Sequence, residues 1–176
     1  LSVKGDHMLQ NASAAMPIAD FAGVDLDGAK KKLMSFTGVA GRGETFKTRN
    51  GVTIIDDAYN ASPVSMKAGL DTLSQLEGNS RIAVLADMLA LGETTLDYHR
   101  EVGVYLASLP IDVVFLYGER AAYIGAGINA AFDTPEISLN DGDAKSRSGK
   151  KPTNEYFNDF SELKNTVQAI AKEQDV

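Results

Sequence analysis

The chain has 176 residues, 44% of them hydrophobic and 23% charged, enough for one ordinary globular domain and some extra length. A formal net charge of −7 argues against a nucleic-acid backbone as partner, because affinity there comes from clustered Lys and Arg; it leaves open nucleotides, which need only a few local donors. The absence of cysteine excludes disulfides, thiolate zinc sites and cysteine nucleophiles, and no apolar run approaches the roughly 20 residues of a membrane span.

In chain order, the opening "LSVKGDH" has no initiator Met, and "IAKEQDV" stops where an apolar strand is expected to begin; the chain is expected to be a piece of a longer protein. The Ala-rich stretch 9–22 predicts a helix with Pro17 as a local irritant. "VDLDGAKKKLMSF" predicts a second helix, capped by Asp25 or Asp27, with Leu33, Met34 and Phe36 facing inward. The glycine-rich "TGVAGRGET" around Arg42 reads as a hinge and places a domain boundary near residue 38.

Beyond the hinge, "TFKTRNGVTIIDDA" predicts a hairpin turning at Asn50-Gly51, an edge strand beside a buried one. "SPVSMKAGLDTLSQLE" predicts a helix with Ser62 as cap and Pro63 in its first turn. The stretches "RIAVLA", "TTLDYHREVGVYLASL", "DVVFLYG" and "ERAAYIGAGINAAF" then alternate strand and helix. That alternation predicts an α/β fold with a mostly parallel sheet and helices on both faces. The polar segment 133–154 reads as a long exposed loop. "YFNDFSELKNTVQAIAKE" closes with a short strand and a helix striped by Phe160, Leu163, Val167 and Ile170.

Two glycine motifs are set aside. "GAGINA" (Gly125 to Ala130) fits G-x-G-x-x-A, but a dinucleotide site needs a strand before it and here the preceding residues read as helix. "RSGKKP" lacks both the upstream glycine and the hydroxyl residue of a P-loop. The junction "IDDAYNASP" is the stronger candidate, because the carboxyl ends of strands in α/β sheets are where ligands bind. Strand alternation aims Asp56 and Asp57 in opposite directions, so at most one reaches a given ligand easily. A carboxylate there accepts from ribose hydroxyls, and Asn60 and the helix start near Ser62 add donors for a carboxylate or phosphate; an Asx-type turn with a helix cap and no ligand is the equal alternative. Asp87 occupies the matching place one unit along the sheet, with His99 on the following helix either facing a site or merely packed. Asn11 and His7 share a helix face, where Asn11 either reads an adenine edge or caps the helix. Arg42 in the hinge either swings onto a phosphate or is solvated.

Four segments in order, "GDHMLQNASAA", "FTGVAGRGE", "IIDDAYNASPVSMKAGLDTL" and "VLADMLALGETTLDYHREVG", resemble the Mur ligases, the ATP-dependent amide-forming enzymes of peptidoglycan precursor synthesis. The third segment is the most specific and is most similar to the branch that joins D-Ala-D-Ala to UDP-N-acetylmuramoyl-tripeptide. The resemblance implies residues 1–38 as the tail of a central ATPase domain and 39–176 as a Rossmann-like C-terminal domain, with the P-loop, the magnesium ligands and the UDP-sugar domain upstream. It implies ATP and Mg2+ as cofactors, an acyl phosphate intermediate, a cytoplasmic monomer, and no nucleic-acid or membrane partner. By resemblance Asn11, with His7 beside it, meets adenine, Arg42 the ATP phosphates and Asp57 the ribose. Tyr59, Asn60 and Ser62 fall in the neighbourhood that places the acceptor, and Asp87 and His99 join them from the second loop. No catalytic base is assigned. Departures from the family pattern stand at Met8, Ser62, Ala86 and Ala90. The alternatives are a diaminopimelate- or lysine-adding ligase of the same family, and a non-catalytic nucleotide-binding module of the same fold.

Overall fold

Strand alternation decides which side of a sheet each residue serves, and the central strand here uses both sides. The computed structural model describes residues 6–36, 39–133 and 150–176, without the side chains of Asp6 and His7. Thr37-Gly38 of the hinge and most of the expected loop, 134–149, thus lie outside the described residues. Strand β4 (Val113–Tyr117) is flanked in parallel by β3 (Ile82–Ala86) and β5 (Thr153–Phe157), with Ala83 opposite Val114 and Val114 opposite Asn154. Val114 and Leu116 face a core built with α3 (Pro63–Gln75), α4 (Thr95–Leu106) and α5 (Ala122–Asp133). Phe115 faces the other way, onto Phe157 and onto Leu163 of α6 (Phe160–Ile170). The Phe115 and Phe157 rings meet edge to face at 5.6 Å. Helices therefore cover both faces, as the alternation predicts.

The sheet is not uniformly covered. Val84 of β3 shares the face of Phe115 yet is 50% exposed, because α6 packs on β4 and β5. An antiparallel hairpin, β1 (Glu44–Lys47) with β2 (Thr53–Asp56), forms a separate two-stranded sheet. Its turn is tied by Thr48 N–H to the Val52 carbonyl at 2.8 Å, and Gly51 supplies the positive φ of +79°. β2 is half-buried, not the buried strand the apolar run suggests, because β1 is its only paired neighbour among the described strands.

Residues 174–176 join the two sheets. Thr53 N–H donates to the Asp175 carbonyl at 3.0 Å, while Val176 N–H donates to Ser80 and its carbonyl accepts from Ile82 at 2.7 Å. Val176 thus begins a parallel ladder against β3 at the point where Asp175 touches β2. Among the described strands β2 pairs only with β1 and β3 only with β4, so each keeps one edge without a strand partner.

The amino-terminal helices, α1 (Asp6–Phe21) and α2 (Leu26–Met34), pack on one another. Asp25 caps α2 by accepting from Asp27 and Gly28 N–H, which decides between the two expected caps. Met34 and Phe36 do not face inward: they are 68% and 40% exposed, because two helices alone enclose too little volume to bury both. Among the described residues no helix is long and apolar enough to cross a membrane.

Candidate functional site

The β2–α3 junction is built by two short-range devices. Asp56 Oδ1 accepts from Ala58 N–H at 3.2 Å, an Asx-type turn that reverses the chain directly after the strand. Ser62 then caps α3 in a reciprocal box: its hydroxyl accepts from Ser65 N–H at 3.2 Å, and Ser65 Oγ accepts from Ser62 N–H at 2.9 Å. Pro63 occupies the first helical position, where its missing N–H costs nothing. Between these devices Asp57, Ala58, Tyr59 and Asn60 are exposed. Asp56 serves the turn and Asp57 stands on the side of α3, where a Cβ on Gly69 would lie 3.7 Å from its Oδ2. Ser62 is committed to the helix cap.

The hinge docks onto this turn. Tyr59 N–H donates to the Gly41 carbonyl at 3.0 Å, and the Arg42 guanidinium lies 4.0 Å from the centre of the Tyr59 ring. The start of α1 approaches the same place, since the Met8 methyl lies 3.4 Å from where a Cβ on Gly43 would sit. Asn11 is exposed on α1, and His7 belongs to that helix with its side chain outside the described residues.

The second loop, between β3 and α4, is clamped from below. Asp87 Oδ1 accepts from Arg120 N–H at 2.9 Å and Ala121 N–H at 2.7 Å, two amides that precede α5, the second shared with the Gly118 carbonyl at 3.1 Å. Gly118, at φ +104°, lies so close that an added Cβ would come within 2.6 Å of that carboxylate oxygen. His99 is fully buried. Its Nδ1 faces the Thr95 carbonyl at 2.6 Å, which can only accept, so Nδ1 carries the proton and Nε2 accepts from Met88 N–H at 3.0 Å. Asp87 and His99 thus spend these groups on the loop itself, and Met88 is buried beneath it. Leu89, 63% exposed, and Ala90, at φ +58°, form the outward tip. A shallow cavity of about 300 Å3 lies between α3 and this loop, lined by Pro63, Val64, Lys67, Leu91, Tyr98 and Glu101, with the Lys67–Glu101 ion pair at 2.6 Å.

The expected site residues therefore form two loops on neighbouring strand ends, with Arg42 and Tyr59 brought into contact. The sequence reading missed Gly118, whose place directly after an apolar strand was the available signal. The GAGINA stretch lies within α5, where Gly127 packs against the Arg100 backbone of α4 and Gly103 of α4 against Ile124 of α5. Those glycines serve helix contact. Among the described residues no group of three His, Cys, Asp or Glu could hold a metal ion.

Comparison with known proteins gives a consistent likeness. The family model for the Mur ligase, glutamate ligase domain, matches residues 41–176. The UDP-N-acetylmuramoyl-tripeptide–D-alanyl-D-alanine ligase of Bacillus subtilis (strain 168) is 37% identical over 139 residues, covering 78% of this chain and 30% of the relative. The enzyme of that name from Mycobacterium tuberculosis (strain H37Rv) is 34% identical over 152 residues, covering 81% of this chain and 30% of the relative. Among solved structures, MurF ligase from Thermotoga maritima in complex with ADP superposes with a TM-score of 0.72 at 25% identity, over 99% of this chain and 34% of that one. MurF from Acinetobacter baumannii gives 0.71 at 29% identity, over 94% of this chain and 32% of that one. The chain spans about 30% of the length of the curated relatives it matches.

Proposed function

Because this chain belongs to the Mur ligase family, we propose that it is the C-terminal part of an ATP-dependent ligase joining D-Ala-D-Ala to UDP-N-acetylmuramoyl-tripeptide. The observation that carries the reading is a hinge arginine docked on the strand-end turn that presents Asp57, in a chain 37% identical to a relative of that name. In this reading residues 1–38 close the ATP-binding domain, residues 39–176 form the acceptor-side domain, and the whole enzyme is a cytoplasmic monomer without nucleic-acid or membrane partners.

Asp57 accepts from the ribose hydroxyls, Arg42 meets the phosphates, and Asn11 with His7 faces the adenine. Asn60, flanked by Ser62 and in the same turn as Tyr59, borders the acceptor, and Asp87 and His99 fix the loop that borders it from the other side. The tripeptide carboxylate takes the γ-phosphoryl group of ATP, giving an acyl phosphate and ADP. The acceptor amine then attacks the acyl carbon, the carbon–oxygen bond to phosphate breaks, and inorganic phosphate leaves. This domain's task is to bring the amine to that carbon and keep water away, since an acyl phosphate hydrolyses. Closure about Gly41 and Gly43, both at φ +72°, does so without strain. Magnesium is the expected companion of ATP, and in this reading its ligands belong to the upstream part of the enzyme.

The test is phosphate release by the full-length enzyme from ATP and UDP-N-acetylmuramoyl-tripeptide, with and without D-Ala-D-Ala. Dependence on the dipeptide supports the reading. Dependence on lysine or diaminopimelate instead reassigns the acceptor, and no release with any acceptor from folded enzyme leaves a nucleotide-binding module. The 176-residue chain alone, having no phosphate-binding glycine motif, is expected to release no phosphate under the same conditions.

A further inference from the structure

We propose that Tyr59 is the platform that holds the hinge arginine, a positioning residue for the nucleotide side of the reaction and not a contact for the acceptor. This deepens the ligase reading and rests on it for the identity of the anion.

The arginine and the ring are attached at two levels. The Arg42 guanidinium carbon is 4.0 Å from the ring centre, a stacking distance. Tyr59 N–H also donates to the carbonyl of Gly41, the residue before the arginine, so the two backbones are tied where the two side chains meet. A Cβ at Gly41 would lie 3.3 Å from both the Cβ and the backbone N of Tyr59, and its φ of +72° already disfavours other residues; the close approach is a built feature. On the other side Arg42 N–H donates to the Val39 carbonyl at 2.9 Å, closing a tight turn that presents the arginine.

The chemistry of the contact is informative. A guanidinium stacked through its flat face keeps its in-plane N–H donors pointing outward. Among the described residues no carboxylate forms an ion pair with Arg42. Its donors thus remain available for bidentate contact with a phosphate, while its long side chain is already ordered. The Tyr59 ring is 70% exposed, so the core does not need it, and the arginine is the ring partner the structure gives it. An arginine between two glycines of positive φ would otherwise lose its rotamer freedom only when the anion binds.

Two measurements test this. In the 176-residue chain, side-chain NMR of Arg42 should show ring-current displacement in the wild type and in Tyr59→Phe, and lose it in Tyr59→Leu. In the full-length enzyme, Tyr59→Leu should raise the KM for ATP roughly two- to fivefold, the scale of an exposed cation–π pair, and leave the KM for D-Ala-D-Ala in place. Tyr59→Phe should restore the KM for ATP, and in an Arg42→Ala background Tyr59→Leu should add nothing. An Arg42 resonance indifferent to Tyr59→Leu overturns the platform, and so does a KM for D-Ala-D-Ala that rises while that for ATP stays. If the wild-type enzyme shows no acceptor-dependent phosphate release, the ligase reading falls and the nucleotide role with it, whereas the resonance arm still decides whether Tyr59 holds Arg42.

Discussion

Gly118 and His99 show how single residues fix the second loop. Gly118 stands at φ +104° with the Asp87 carboxylate where its Cβ would be. Gly118→Ala therefore meets backbone strain and a displaced carboxylate together, and should cost about 1–3 kcal/mol in urea denaturation. His99→Ala leaves Met88 N–H buried without its acceptor and should cost at least about 1–3 kcal/mol by the same measurement. His99→Gln, which can offer a carbonyl oxygen near the Nε2 position, should recover part of that loss. If alanine and glutamine behave alike, the Met88 bond is not what the histidine supplies. None of this was legible in the sequence, where Asp87 and His99 are equally good readings as ligands or as packing. The tautomer of His99 depends on Thr95 four residues before it, but Met88, Arg120 and Ala121, the other partners of His99 and Asp87, lie 11 to 34 positions away, and no local spacing encodes those contacts.

At the level of elements, more could be read in advance. Helix α3 announces itself by Ser62 and Pro63, each with a local mechanism, and the structure uses both, adding Ser65 as the reciprocal partner of the cap. Ser62→Ala removes an acceptor from the first turn and should destabilise the chain by about 1 kcal/mol in urea denaturation, with Ser62→Asp near neutral. The hairpin was equally legible, because Asn50-Gly51 carries its own turn chemistry. The helices α4 and α5 were visible as helices but not as partners. Their glycines, Gly103 and Gly127, let the two backbones touch, a use of glycine that looks in sequence like a nucleotide fingerprint. The inward stripe expected for α2 and the buried strand expected for β2 were overstated for one reason. Apolar pattern reports what an element can bury, while the neighbours decide what it does bury, and Met34 and Ile54 stay 68% and 36% exposed.

For the whole molecule, the link that residues 174–176 make between β2 and β3 matters most. Among the described strands β2 pairs only with β1 and β3 only with β4, so each has one edge without a strand partner, and Ile54 and Val84 on them are 36% and 50% exposed. Natural sheets guard such edges with lysine, proline or bulges, and Thr53–Asp56 and Ile82–Ala86 carry none of these guards. The isolated chain is therefore expected to pair with added β-structure at these edges. Its sedimentation should shift toward larger species with rising concentration, and a short apolar peptide able to add as a strand should reverse that shift while raising the melting temperature. A chain that stays monomeric at every concentration and ignores such peptides would mean that these edges are not open to pairing.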